Sequence, residues 1–129
     1  MSFDTKEKGA NYDAIAQDGS QVRVLCRVER GSMAHFTLLS RAVSKAVASD
    51  NLEELWYFVS GHGRMWRRLG SVEQIVDIGP GICITIPRGT HFQFRSDTDE
   101  PLTAVGVTMP PWTDPGDHHA VQGKWDATM

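Results

Sequence analysis

The chain has 129 residues, a formal net charge of −3 at pH 7 and 22% charged residues. This length suits one compact domain with a single hydrophobic core. No basic patch stands out beyond the short run RMWRRLG, so we expect no nucleic-acid partner.

Residues 1–20 are predicted to form a polar N-terminal arm that ends in the turn signal Asp18-Gly19-Ser20. The arm lacks the apolar core of a secretory signal, so a cytoplasmic location is expected. The longest apolar run of the chain is far too short to span a membrane, so we expect no membrane partner. Cys26 and Cys83 lie in apolar, strand-like runs and are predicted to be buried free thiols.

Residues 21–110 alternate short apolar runs with turn signals, a pattern typical of an all-β sandwich or barrel. The runs are QVRVLCRVE, AHFTLL, RAVSKAVAS, ELWYFVSG, RMWRRL, EQIVDI, GICITIP, HFQFRS and LTAVGVTM. The segment RAVSKAVASDNLEEL lacks a clean 3.6-residue apolar stripe, so little or no helix is expected.

Three sets of turn residues are predicted to form corners of the barrel. Gly61 and Gly63 favour a tight hairpin between ELWYFVS and RMWRRL. Gly79-Pro80-Gly81 and Pro87-Arg88-Gly89 favour two further turns. After the barrel, residues 111–129 are predicted to form an extended tail that packs Trp112 and Trp125 back on the body.

Two spaced motifs give the chain a resemblance to a known family. Glu54 is followed by LWYFVS and Gly61. Gly81 is followed by ICITI, Pro87-Arg88-Gly89, two residues to Phe92 and three more to Ser96. These spacings resemble the two motifs of the cupins, and the resemblance covers roughly residues 22–110. It implies a double-stranded β-helix, or jelly-roll barrel.

The resemblance also implies where a metal would be held. Metal-binding cupins use two histidines and a glutamate of the first motif and a histidine of the second. Here the first two positions fall on Val47 and Ser49, or on Ala48 and Asp50, and the last falls on Phe92. Glu54 alone remains, and one carboxylate does not hold a transition metal, so no metal and no cofactor are predicted.

A one-residue register slip is the alternative for the second motif, because it would turn His91 inward and Phe92 outward. Asp50, His35 or His62 would then supply further ligands. The spacing from Gly89 and Ser96 favours Phe92 at the inner position, with His91 facing outward. His62 is predicted to lie at a turn in solvent, and His118 and His119 in a solvated loop.

Strand alternation predicts the lining of the barrel. If Glu54 points inward, so do Trp56 and Phe58, and if Phe92 points inward, so does Phe94. The predicted ligand pocket is therefore an aromatic cup with one acid, as small-molecule sites often are. By the same alternation Gln93 and Arg95 face away from the pocket.

The opposite face of the same strand carries Leu55, Tyr57 and Val59, which are also apolar. A strand that is apolar on both faces needs cover on both sides. A second copy of the chain is the expected cover, which predicts a homodimer. The N-terminal arm or the tail is the alternative.

These residues favour a cupin that binds a small molecule of unassigned identity in the barrel without a metal. One alternative is a metal-independent sugar or keto-acid isomerase or epimerase with Glu54 as its catalytic acid or base. Two others are a metal-dependent dioxygenase and a binding or regulatory protein without a small ligand. The sequence leaves open whether Glu54 catalyses a reaction or only holds the barrel mouth together through a hydrogen bond. Its possible cationic partners are Arg41, Lys45, Arg64 and Arg95.

Overall fold

The computed structural model describes residues 3–113 and 116–129, and its regular structure is entirely β-strand. The strands in these ranges are β1 (Ala14–Ile15), β2 (Gln21–Val28), β3 (Gly31–Leu38), β4 (Val47–Ala48), β5 (Glu53–Ser60), β6 (Gly63–Leu69), β7 (Val72–Ile78), β8 (Cys83–Ile86), β9 (His91–Ser96), β10 (Leu102–Met109) and β11 (His119–Ala120). The prediction of an all-β chain is confirmed. In these ranges there is accordingly no helix that could cross a membrane.

The strands form two antiparallel sheets that face each other. Sheet A has the order β1-β2-β3-β10-β5-β8, and sheet B has the order β11-β4-β9-β6-β7. Their inner faces share one apolar core. Trp56 of sheet A joins the two, because its ring lies 5.7 Å from that of Phe92 and 5.2 Å from that of Phe94 in sheet B.

The predicted hairpin at Gly61 and Gly63 is wrong, because β5 and β6 lie in different sheets. The chain crosses from sheet A to sheet B at this point. Gly61 has a φ of +80°, and a Cβ there would lie 2.5 Å from the Pro101 carbonyl oxygen. Glycine is therefore required for the crossing rather than for a hairpin.

The two other predicted turns are confirmed. Gly81 and Gly89 have φ values of +86° and +85°. The Ile82 amide donates to the Gly79 carbonyl, and the Thr90 amide donates to the Pro87 carbonyl. These turns border β8 on either side and align it beside β5.

Side chains of β5 alternate between the core and the surface, as predicted. Trp56 and Phe58 are buried, while Tyr57 is 52% exposed and Val59 is 47% exposed. The pairing with β10 is antiparallel and places Val105 opposite Tyr57. Alternation therefore orients every side chain of the strand that carries Glu54.

The prediction of two buried thiols is wrong. Cys83 is exposed and Cys26 is only partly buried. Cys83 pairs with Tyr57 across β8 and β5, so it shares the outer face of sheet A. An apolar run was a poor guide here, because alternate residues of such a run face solvent in this chain.

The C-terminal segment lies across the outer face of sheet B and is held there by Gln93. Gln93 is 1% exposed although it faces away from the core. Its amide group donates to the carbonyls of Ser44 and Trp125. Its carbonyl oxygen accepts from the amides of Lys124 and Trp125. These four hydrogen bonds satisfy the side chain fully and attach the segment to the sheet.

Both tryptophans of the predicted tail contact the body of the protein. Trp112 packs against the core. The Arg95 guanidinium lies 4.6 Å from the ring centroid of Trp125, within the range of a cation–π contact. The boundaries of the arm, barrel and tail at residues 20/21 and 110/111 stay predictions.

Gln93→Leu is expected to loosen the C-terminal segment. The substitution leaves two amides and two carbonyls without their partner, and an unpaired buried group costs about 1–3 kcal/mol. We expect a loss of about 2 kcal/mol in the free energy of unfolding, since the freed segment recovers part of the cost through water. Urea unfolding measures it, and hydrogen exchange at the Lys124 and Trp125 amides should accelerate. Gln122→Leu, at an exposed position of the same segment, is the control. Equal effects of both variants would contradict the role of Gln93.

Candidate functional site

Glu54 enters the barrel because β5 presents it on the inner face of sheet A. It is 3% exposed and is flanked across the sheet by Thr108 and Ile86. The Trp56 indole Nε1–H donates to Glu54 Oε1 at 3.0 Å. The first inward position of the strand thus carries the acid, and the next one binds it.

The position of the Trp56 ring depends on Gly106 of β10. Gly106 lies directly opposite Trp56, and a Cβ at that position would lie 2.4 Å from Phe36 Cε2 and 3.1 Å from Trp56 Cδ1. The missing side chain lets the two aromatic rings approach to 5.0 Å between centroids. The indole is therefore fixed where it can donate to Glu54.

His118 supplies the second partner of Glu54. Its Nε2–H donates to Glu54 Oε2 at 2.8 Å, and the two side chains are only 10% and 2% exposed. The prediction of a solvated loop is wrong for His118, whereas the neighbouring His119 is exposed as expected. None of the four cations weighed from the sequence hydrogen-bonds to Glu54 in the described residues.

Asp18 approaches the same place from the N-terminal side. Its side chain is buried, and Oδ1 accepts from the Ser20 amide at 2.8 Å and the Ser20 hydroxyl at 2.6 Å. Within residues 3–113 and 116–129, no hydrogen bond reaches Oδ2. Burial raises the pKa of Asp18 above its usual value, against the lowering effect of the Ser20 bonds. The sequence indicated only a turn at this position.

The surroundings of His118 favour its protonated form. Burial alone would lower the pKa of the imidazole. The hydrogen bond to Glu54 and the charges of Glu54, Asp18 and Asp117 outweigh burial and raise the pKa above 6.5. Below this raised pKa, His118 is an imidazolium that donates a charge-assisted hydrogen bond to the buried Glu54 side chain.

A small cavity remains between these groups. Its volume is about 20 Å³, and it is lined by Ala16, Gln17, Asp18, Phe36, Val47, Glu54, Trp56, Phe92, Trp112 and His118. A volume of about 10–15 Å³ on this measure holds one water, so the closed barrel has room for about one water molecule.

The predicted pocket residues fall into two groups. Glu54, Trp56 and Phe92 line the cavity. Phe58 and Phe94 are buried in the core behind Trp56, at 6.1 and 5.2 Å between ring centroids, and do not line it. The assignment of these residues to a ligand site stays a prediction.

The register slip that would turn His91 inward does not occur. Phe92 is 1% exposed in the core, and His91 faces outward, where its Nδ1 lies 3.3 Å from the Arg68 guanidinium. His35 lies on the outer face of β3 opposite Val105, and His62 is exposed. None of these histidines lines the cavity beside Glu54.

Solved structures of three proteins resemble this chain. An oxalate decarboxylase from Bacillus subtilis has a TM-score of 0.70 at 16% identity, covering 90% of this chain and 30% of its own. An uncharacterized protein with a double-stranded β-helix domain from Klebsiella pneumoniae has a TM-score of 0.66 at 12% identity, covering 81% and 85%. A protein from Bacillus halodurans has a TM-score of 0.66 at 17% identity, covering 84% and 80%.

These similarities show that the chain has the cupin fold, a double-stranded β-helix, as predicted from its motifs. At such low identity they show the fold alone. The chain spans about three tenths of the length of the oxalate decarboxylase it matches. Neither a family model nor a curated protein matches the sequence.

The residues present do not fit the metal that many cupins hold. Phe92, at the histidine position of the second motif, and Val47, one of the two candidates for the first histidine of the other motif, are paired neighbours in β9 and β4 and line the cavity with apolar side chains. Glu54, His118 and Asp18 carry donor atoms. Across the described ranges, however, no three His, Cys, Asp or Glu side chains are placed to hold a metal ion together.

His118→Gln is expected to make the stability of the chain less dependent on pH. Since the folded pKa of His118 is raised, its contribution is complete below pH 6.5 and is lost as pH rises through the folded pKa. At pH 6 the variant should unfold with about 1 kcal/mol less free energy, the difference between a charge-assisted and a neutral hydrogen bond. The gap should close at higher pH. Chemical denaturation across this range measures it, with His119→Gln as the exposed control. A gap that stays constant with pH would contradict an imidazolium at this site.

Proposed function

We propose that the barrel interior is a metal-independent site for a small molecule, with the Glu54–His118 pair as its polar centre. The observation that carries the proposal is the 2.8 Å contact between a carboxylate and an imidazole, both nearly inaccessible, inside an aromatic wall. Small-molecule sites commonly combine apolar walls with a few placed polar groups. Charged pairs are costly to bury, so a barrel built only for stability would do as well with apolar side chains here.

A ligand enters this site by displacing His118. The cavity beside the pair holds about one water and is too small for a metabolite. The His118 side chain is 10% exposed and therefore reaches the surface, whereas Glu54 lies beneath it. A molecule that takes the place of the imidazole gains both the vacated volume and the hydrogen-bonding capacity of Glu54.

Acid–base catalysis is the second candidate function, and the same contact favours it. A protonated His118 can give a proton while Glu54 accepts one, which is the division of roles that isomerisation or epimerisation of a sugar or keto acid needs. Tyr57 takes no part, since it is 52% exposed on the outer face. The dioxygenase alternative has no support in the donor set.

The partner we propose on the outside of the barrel is a second copy of the chain. The chain's own C-terminal segment covers sheet B around Gln93 of β9, but the outer face of sheet A carries an uncovered apolar stripe. Its cross-strand rows are Met33–Val107–Leu55 and Val105–Tyr57–Cys83, the second of which begins at His35 of β3. An apolar groove of about 390 Å³ continues the stripe past Met33 and Val107. A neutral stripe fits a copy of itself across a two-fold axis.

A cytoplasmic location is part of the proposal and is supported by two unpaired cysteines.

Ligand binding in the barrel should depend on Glu54 and be visible at Trp56. The Trp56 indole proton is bonded to the Glu54 carboxylate, so any molecule that engages this carboxylate shifts its NMR resonance. We expect hits from a library of small polar metabolites to shift this signal and raise the melting temperature. Glu54→Gln should weaken binding at least about tenfold, since the charge-assisted bond is lost.

Glu53→Gln is the matched control, because Glu53 is the neighbouring glutamate and is exposed. It should leave binding unchanged. Hits that bind both variants equally and leave the Trp56 signal in place would place the ligand outside the barrel and overturn the proposal.

Tyr57→Lys is expected to convert the dimer to a monomer, because it buries a charge in the apolar stripe. Sedimentation equilibrium at micromolar concentration measures the mass. Val72→Lys is the control, since Val72 is a 70% exposed apolar residue of β7 in the other sheet. A parent chain that sediments as a monomer would refute the proposed partner.

A further inference from the structure

The His118 side chain occupies the barrel mouth in the manner of a bound ligand. It lies 64 residues away from Glu54 in the chain, at the end of the loop that leads into β11 of sheet B. Its Nε2–H ends on a buried carboxylate oxygen, and its ring meets the Phe92 ring at 6.0 Å and 81°. The site therefore already contains one planar group with an N–H donor, which a loop residue rather than a barrel strand supplies.

Acidic side chains outnumber basic ones among the groups that face this imidazole. Glu54 lies below it and Asp18 beside it, and both carboxylates line the same cavity. Asp18 keeps one oxygen without a hydrogen bond among the described residues. The Arg and Lys side chains of the described ranges line other surfaces, and none lines this cavity. Because His118 is already paired with Glu54, no other cationic side chain among the described residues of the cavity lining is available to an anionic ligand.

Aromatic rings form the rest of the wall. Trp56, Phe92, Phe36 and Trp112 all line the cavity. Aromatic rings and carboxylates together are the groups that recognise organic cations, through cation–π contacts and charge-assisted hydrogen bonds. Neutral ligands would leave the Glu54 charge without compensation, in a place where burial makes an unpaired charge costly.

We propose that this site takes a small organic cation carrying N–H donors, such as an imidazolium, amidinium or primary ammonium group, in place of the His118 side chain. The inference deepens the proposed function and rests on it. His118 is then an internal competitor that keeps Glu54 paired when no ligand is present. The ligand's charged group is about the size of an imidazole ring, because the cavity beyond that ring adds space for only about one water.

The test uses imidazole as the probe at pH 6, where an imidazole is largely protonated. Thiazole, a neutral ring of similar size, is the control ligand. Both are titrated into the full-length parent chain, His118→Ala and His118→Ala/Glu54→Gln, with the Trp56 indole NMR signal as the readout. His119→Ala is the control for loss of a histidine at the adjacent exposed position.

Imidazolium should bind His118→Ala at least about tenfold more tightly than thiazole does, and at least about tenfold more tightly than it binds the parent or His119→Ala. Adding Glu54→Gln should remove this preference. Equal binding of the charged and neutral rings would show that the vacated space selects by volume, which overturns the inference. Failure of a folded His118→Ala to bind imidazolium overturns it as well.

If His118→Ala does not fold, titration of the parent chain with imidazolium tests the inference instead. Millimolar imidazolium should shift the parent's Trp56 signal, and Asp18→Asn should weaken this binding while leaving the fold intact. An unshifted signal would overturn the inference.

Two other outcomes separate the inference from the proposed function. Neutral metabolites that bind the parent at Trp56 would support the site and refute its cation preference. Imidazolium that binds His118→Ala, with no library compound that binds the parent, would support the preference and refute a ligand site in the native chain.

Discussion

The buried carboxylate of Glu54 is the constraint on which the rest of the site depends. A carboxylate that is 3% exposed is stable in this position only if donors surround it. Trp56 satisfies one oxygen and His118 the other, at 3.0 and 2.8 Å. The alternation of side chains along β5 supplies the first donor, since Trp56 is the next inward residue of the strand. The second comes from His118, which the C-terminal segment brings to the barrel mouth just before β11.

The pairing of β11 with β4 holds that segment to sheet B, and two side-chain contacts attach it further, one at each side of the barrel wall. Inside the mouth, His118 binds Glu54, and outside sheet B, Gln93 binds Lys124 and Trp125. A Cβ at Gly123 would lie 2.4 Å from the side-chain oxygen Oε1 of Gln93. The backbone of the segment can therefore approach the sheet here only because residue 123 has no side chain. The outer attachment holds the chain near the mouth after His118 leaves Glu54, which favours its return.

Alternation and turn chemistry made the barrel predictable from the sequence. Alternation predicts that Glu54, Trp56 and Phe92 point inward. Side chains of a strand alternate with a period of two, so once one aromatic residue faces the core, the direction of every other side chain of that strand is determined. His118 and Asp18 were not predictable by that logic. Both lie in irregular segments without periodicity, and their contact with Glu54 depends on how these segments cross the barrel mouth. The outward direction of Gln93 was predictable, but its burial depends on a partner 32 residues away.

The apolar side chains of Val47 and Phe92 beside Glu54 determine the electrostatics of the barrel interior. Val47 and Phe92 make the wall around Glu54 less polar, which increases the cost of leaving its charge unpaired. A metal ion would compensate that charge in a barrel that kept its histidines. Here an imidazolium of the chain itself does so. Any ligand of this site must then compete with an intramolecular partner for Glu54. Its apparent affinity is its intrinsic affinity multiplied by the fraction of molecules in which His118 has left Glu54. Selectivity follows from the same competition. Only a ligand group whose hydrogen bond to Glu54 is at least as favourable as that of His118 can replace the imidazole.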